Sequence, residues 1–181
     1  MYEKNIQQAK HVAATFRLRK NKIREKKHRL PLEYYTGQIA CAFTICVKNK
    51  RVLFNNPRII NIFIELLKKA SYRYNCIVPV YCFMPDHLHI ILIGKEENSN
   101  LWKAISYFKQ ITGYWLAKNK LGKWQKDFYD HIIRKHEDLV AQVKYVLDNP
   151  VRKGLVDNWQ DYPYKGSIGI NLEDVLAGVL R

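Results

Sequence analysis

Apolar and polar residues along the chain switch between two periods, and the switches divide it into elements. Residues 38–47 (QIACAFTICV) are rich in β-branched, aromatic and other apolar residues, the composition of a buried strand. A turn at Asn55–Asn56 leads to Pro57, a favourable first helical residue behind an Asn cap. Ile59, Ile60, Phe63, Leu66, Leu67 and Ala70 then recur at helical spacing to about residue 72. Residues 76–83 (CIVPVYCF) read as a second strand, in which Pro79 requires an edge position or a bulge. Met84, Pro85 and Asp86 make a tight turn into a third strand at 87–93 (HLHIILI), and so short a connection pairs the two as a hairpin. After a polar loop from Gly94, a helix over about 100–119 carries Leu101, Ile105, Phe108, Ile111, Trp115 and Leu116 on one side. Residues 127–134 (DFYDHIIR) fit a fourth strand, and a third helix from Glu137 to Asn149 is stopped by Pro150.

The order is β-α-β-β-α-β-α. Its first six elements are those of an α+β, ferredoxin-like split βαβ sheet, with the third helix added behind it. A chain of 181 residues suits one domain with an extension. The expected division is a basic N-terminal extension at 1–31, one domain at 32–168 and a short C-terminal helix at 169–181. With 48% hydrophobic and 13% aromatic residues, global disorder is excluded. Thirty-one Lys and Arg against 16 acidic residues give a net charge of +15, which favours polyanionic partners such as nucleic acid or an acidic membrane surface. The first 31 residues hold ten Lys and Arg against two acids, and read either as an electrostatic contact for phosphates or as a solvated tail. No apolar run approaches the roughly 20 residues of a membrane span, and no apolar stretch of a signal peptide opens the chain, so a cytoplasmic protein is expected. Cys41, Cys46, Cys76 and Cys82 form no Cys-x-x-Cys pair. They read as buried small hydrophobes in a reducing compartment rather than as zinc or redox ligands.

Chemistry concentrates at His87-Leu88-His89. On a strand, side chains at i and i+2 share a face about 6.7 Å apart at the backbone, so two imidazoles can converge on one ion while Leu88 points into the core. The alternative is a pair of half-exposed histidines on a solvated face. On the third helix, Leu139, Val140, Val143, Val146 and Leu147 fall on one arc, which must face the core. Asp138, Gln142, Tyr145 and Asn149 fall on the other, so Tyr145 is not explained as a core aromatic. Tyr145 and Asn149 stand one turn apart. If their face covers the histidine strand, two imidazoles, an amide and a phenol meet; otherwise Tyr145 is an exposed tyrosine beside a helix-terminal Asn. Tyr129 reads as a packing residue. His131 and His136 lack metal-ligand partners at useful spacing, and His11 and His28 in the basic arm would touch solvent or phosphate. There is no Gly-rich phosphate loop, no G-x-S-x-G and no His-Glu-x-x-His, so nothing supports ATP-driven or serine-hydrolase chemistry.

Met84-Pro85-Asp86-His87-Leu88-His89 resembles the histidine-hydrophobe-histidine signature of the HUH-superfamily single-tyrosine transposases. Residues 124–134 (WQKDFYDHIIR) and 145–156 (YVLDNPVRKGLV) are similar to the branch associated with repetitive extragenic palindromes, the REP-associated tyrosine transposases, as are Tyr162-Pro163-Tyr164 and Ser167. The resemblance spans roughly residues 30–168. It implies His87 and His89 as metal ligands, Tyr145 as nucleophile, and Asn149 in the position of an amide ligand that is often Gln in relatives. Lys165-Gly166 departs from the usual tail, and the basic arm lies outside the shared pattern. The implied activity is cleavage and rejoining of single-stranded DNA beside a hairpin through a 5′-phosphotyrosine. A phenol of pKa about 10 needs help as a nucleophile at neutral pH, and Mg²⁺ or Mn²⁺ on a mixed nitrogen and oxygen set would supply it. Arg17, Arg19, Lys20, Lys22 and Arg24 in the arm, with Lys103, Lys109, Lys118, Lys120 and Lys123, would hold phosphates without reading sequence. Trp102, Trp124, Trp159 and Tyr164 are candidates for stacking on unpaired bases. With one such tyrosine per chain, two ends are handled in sequence or by a homodimer. The competing readings are a noncatalytic hairpin-binding protein that keeps the fold, and an RNA-binding or replication-initiating role.

Overall fold

The computed structural model describes residues 31–134 and 136–179, with the side chains of 136–138 outside that description. The expected strands and helices form within one to three residues of their expected ends: β1 (Ala40–Cys46), α1 (Pro57–Arg73), β2 (Cys76–Met84), β3 (His87–Gly94), α2 (Leu101–Lys118), β4 (Tyr129–Ile133) and α3 (His136–Leu147). Two short helices follow, α4 (Asn149–Arg152) and, after a further strand β5 (Lys165–Ile168), α5 (Leu172–Leu176). The sheet has the order β4-β1-β3-β2-β5, and all its neighbours are antiparallel. This is the split βαβ arrangement, widened by one strand.

The helices start where side chains replace missing backbone partners. Asn56 accepts from the Arg58 amide at 2.9 Å with Pro57 in the first turn, and Asn100 accepts from the Lys103 amide at 2.8 Å. Alternation along the strands then splits the core into two layers. Phe43, Ile45, Phe83, Leu88, Ile90 and Leu92 meet the apolar stripes of α1 and α2 on one face of the sheet. Val80, Cys82, Met84 and Ile91 meet Leu139, Val143, Val146 and Leu147 of α3 on the other. All four cysteines are buried thiols.

Pro79 takes one of its two expected places, and β5 is a strand the sequence pattern does not predict. Pro79 lies in a strand paired on both sides, and the register shifts around it, between Ile77 and Val80 against β3 and between Val78 and Tyr81 against β5, so the missing N–H is absorbed by a bulge and not by an edge. The four residues of β5 carry no alternating pattern, yet they cover β2. Phe83 N donates to Tyr164 O at 2.8 Å, and the Tyr162 hydroxyl donates to Phe83 O at 2.7 Å. Gly166 is required there, because a Cβ would lie 2.6 Å from the Tyr81 hydroxyl. Of the expected C-terminal helix, only Leu172–Leu176 is helical. Among the described residues no helix is long and apolar enough to cross a membrane.

The corner that precedes β3 is pinned from outside. Asp86 O accepts from Val47 N at 2.9 Å, and Pro85 O accepts from Leu53 N at 2.8 Å and Phe54 N at 3.0 Å. Behind it, Phe63 is fully buried with its ring against those of Phe54, Phe83, Phe108, Trp115 and Trp124. Truncation at such a position leaves a cavity, so Phe63→Ala is expected to lower unfolding free energy by about 3–5 kcal/mol, read from urea denaturation.

Candidate active site

His87 and His89 occupy alternate positions of β3, opposite Cys46 and Thr44 of β1. Both face the α3 layer, while Leu88 between them is fully buried on the other side. Their Nε2 atoms lie 3.1 Å apart. Each ring is oriented through its other nitrogen: His87 Nδ1 bonds the Asp86 carboxylate, and His89 Nδ1 lies 3.0 Å from Thr44 Oγ1. Lys50 Nζ approaches the second Asp86 oxygen at 3.7 Å. Burial would raise the Asp86 pKa, but the hydrogen bond and charge of His87 and the charge of Lys50 outweigh it and hold the carboxyl below its usual range. Asp86 and Thr44 thus hold the two imidazoles by their Nδ1 atoms, and the Nε2 atoms face each other. Burial above all, then the charges of His87, Arg152 and Lys50, push the His89 pKa down to about 3, so this ring is neutral near pH 7.

The polar arc of α3 does cover the histidine strand. Tyr145, half exposed on that arc, lines one cavity together with His89 and Thr44. The Arg152 guanidinium stacks on the Tyr145 ring, its central carbon 3.9 Å from the centroid. Arg152 was visible in the sequence only as part of a longer motif. Its role becomes clear from the helix break, which places it one turn past Asn149.

Asn149 is placed differently from expectation. Pro150 does not end the helical path but restarts it. α3 stops at Leu147, and α4 opens at Asn149 with Pro150 in its first turn. Pro150 has no N–H for the carbonyl four residues back, Val146 O, and the Asn149 side chain takes over, donating Nδ2 to Val146 O at 3.3 Å and to Tyr145 O at 2.9 Å. Its Oδ1 accepts from Arg152 Nη2 at 2.9 Å. The amide is thus buried and committed to the break instead of standing beside Tyr145 on the exposed arc.

The expected DNA contacts separate by layer. Lys103, Lys109, Lys118 and Lys120 belong to α2 and its C-terminal end, whose buried residues lie on the sheet face away from the histidines. Lys103, Lys118, Lys120 and Lys123 are exposed, but Lys109 Nζ donates to Gln125 O and Lys126 O, both at 3.0 Å, and so holds the segment before β4. Arg17, Arg19, Lys20, Lys22 and Arg24, with His11 and His28, lie outside the described residues, as does the His136 side chain. Trp124 is a core residue whose Nε1 donates to Thr112 Oγ1 at 2.8 Å. Trp102 packs between Tyr35 and Phe128, Trp159 lies under Lys165, and Tyr164 packs on Tyr162. Tyr129, read as a packing residue, is instead 69% exposed on the edge strand β4. Asp86 and Thr44, which fix the two imidazoles, were not singled out. The signal for Asp86 was an acid directly before His-x-His.

Residues 35–146, more than half of the chain, match the family described as "Transposase IS200 like". This chain belongs to that transposase family. The match contains both histidines and Tyr145 and ends before Asn149 and Arg152. Among its relatives is an Escherichia coli K12 protein named REP-associated tyrosine transposase, 28% identical over 138 residues covering 72% of this chain and 78% of the relative. A Haemophilus influenzae protein, provisionally given the same name, is 30% identical over 134 residues, 67% of this chain and 76% of the relative. The fold matches that of a REP-associated tyrosine transposase solved bound to a REP hairpin, with a TM-score of 0.68 at 21% identity, over 86% of this chain and 88% of the other.

The site of this IS200-like family member separates stability from surface chemistry. Asn149→Ala leaves the buried Val146 carbonyl without its side-chain donor and is expected to cost about 1–3 kcal/mol of folding stability. Tyr145→Phe, at a half-exposed position, is expected to change it by less than about 0.5 kcal/mol. Thermal and urea denaturation of the two variants measures both.

Proposed function

We propose that this chain cleaves and rejoins single-stranded DNA beside a hairpin, with Tyr145 as the nucleophile and His87 and His89 holding Mg²⁺ or Mn²⁺. The observation that carries the reading is the pair of imidazole Nε2 atoms 3.1 Å apart on a face that Tyr145 shares. Family membership supports transposase chemistry, and the hairpin bound to the structural neighbour supports the DNA class.

The donor set fits a divalent ion. Neighbouring ligands on an ion bound at about 2.0–2.2 Å stand roughly 3 Å apart, the spacing of the two Nε2 atoms. Asp86 and Thr44 would orient the ligands from behind. Among the described residues no three His, Cys, Asp or Glu side chains converge, so oxygens of other kinds would complete the shell. Such an ion supplies Lewis acidity at the scissile phosphate. The chain's own residues do the rest. Tyr145 Oη forms a bond to phosphorus as its proton passes to solvent, the phosphorus–O3′ bond breaks, and the departing 3′ oxygen takes a proton from solvent to leave as a free 3′-hydroxyl. Arg152, stacked on the ring face, would hold the phenol in position for that attack. The phosphotyrosine keeps the phosphodiester energy, so a 3′-hydroxyl can reverse the step without ATP.

A hairpin binder without cleavage is the second reading, and the commitment of the Asn149 amide to the helix break is the observation that favours it. Incubation with labelled hairpin DNA and Mn²⁺, followed by a denaturing gel, separates the two. A covalent adduct is expected, lost in Tyr145→Phe and in EDTA; tight binding without an adduct would select the noncatalytic reading. Asp86→Asn is expected to weaken Mn²⁺ binding to the free protein about 10- to 100-fold, measured by electron paramagnetic resonance.

A further inference from the structure

Beside the histidines, β1 turns only small side chains toward the α3 layer. Ala42 pairs with Ile91 on β3 and His131 on β4, and Thr44 with His89 and Tyr129. Large residues thus flank small ones, and the sheet surface is hollow along β1. α3 roofs this hollow incompletely, with Gln142 and Tyr145 one turn apart on the same face. The result is a cavity of about 180 Å³, roughly the share of six liquid waters and room for one aromatic ring system. Its floor is the Ala42 methyl and the Thr44 side chain, and the nucleophile's own residue forms one wall.

The lining has the chemistry of a site for a flat heteroaromatic ring. Its surfaces are mostly apolar, and Thr44, His131 and Gln142 supply hydrogen-bonding groups around them. Tyr129, 69% exposed, stands at its edge as an aromatic ring that core packing does not explain. In single-stranded DNA the bases are unpaired, every base offers a π face, and stacking on an aromatic side chain holds it. A strand whose phosphate meets Tyr145 must place an adjoining base within one nucleotide of this cavity.

We infer that the cavity receives one unpaired nucleobase of the strand to be cleaved, with Tyr129 and Gln142 determining how well that base is held. The inference rests on the proposed DNA-cleaving function for its substrate, but it concerns binding and not the covalent step. It also gives the chain a contact to a base, and phosphate contacts by lysines carry no such sequence information.

The test measures binding in EDTA, where no cleavage is needed. The probes are hairpins from palindromes flanking the gene, each with a single-stranded flank, in a series where every flank nucleotide in turn is made abasic. Fluorescence anisotropy with the full chain is expected to show one flank position at which base removal weakens binding about fivefold or more, with neighbouring positions within twofold. Tyr129→Ala and Gln142→Ala should each abolish most of that position's effect while leaving affinity for a flankless hairpin unchanged. Ala42→Leu, which fills the floor, should do the same. Equal tolerance of every abasic position, or equal losses by the variants on flanked and flankless hairpins, would overturn the inference. A covalent adduct without base selectivity removes the cavity's role and keeps the nuclease; base selectivity without an adduct keeps the cavity and removes the nuclease.

Discussion

The register of β3 is the constraint on which the rest depends. Side chains on a strand alternate, so a slip of one residue would send His87 and His89 into the aromatic core and Leu88 out to the site. Two neighbours hold the register, with Thr44 and Cys82 flanking His89, and Cys46 and Met84 flanking His87. The corner before the strand is held as well, since Pro85 and Asp86 spend their carbonyls on the segment after β1. Asp86 is therefore placed both to fix the backbone and to orient the first imidazole.

A second constraint acts on the Tyr145 side. Tyr145 sits in the last turn of α3, where the backbone would fray if Pro150 left its carbonyl partner unpaired. Asn149 and Arg152 close that gap from the side chains, and Arg152 then lies over the Tyr145 ring. The break is what turns a surface tyrosine into one with a defined neighbour. It also ties the amide that the resemblance assigns to a metal, so the local stability of the break and the composition of any metal shell compete for Asn149.

Much of this was legible in the sequence. Long periodic segments such as α1 and α2 and the apolar runs of β1 to β3 gave the architecture, because burial writes its period directly into such elements. His-x-His on a strand and a tyrosine on the wrong arc of an amphipathic helix marked the site for a physical reason: neither is explained by packing. What remained hidden depends on tertiary context. β5 is four residues long and gains its place from Tyr162 and Tyr164, not from its own pattern. Asn149 faces inward because its side chain bonds Tyr145 O and the Val146 O that Pro150 leaves free, which no helical wheel represents. The layer on which the α2 lysines lie, the capture of Lys109 by two carbonyls and the hollow over Ala42 all follow from what stands opposite them.

The central claim is that one particular phenol among the chain's 12 tyrosines is the reacting group. Digestion of the trapped protein–DNA adduct with nuclease and protease, followed by tandem mass spectrometry, tests it most directly. A nucleotide phosphate mass on the peptide bearing Tyr145, and at that residue, is the expected result. The same mass on another tyrosine would contradict the assignment of the site.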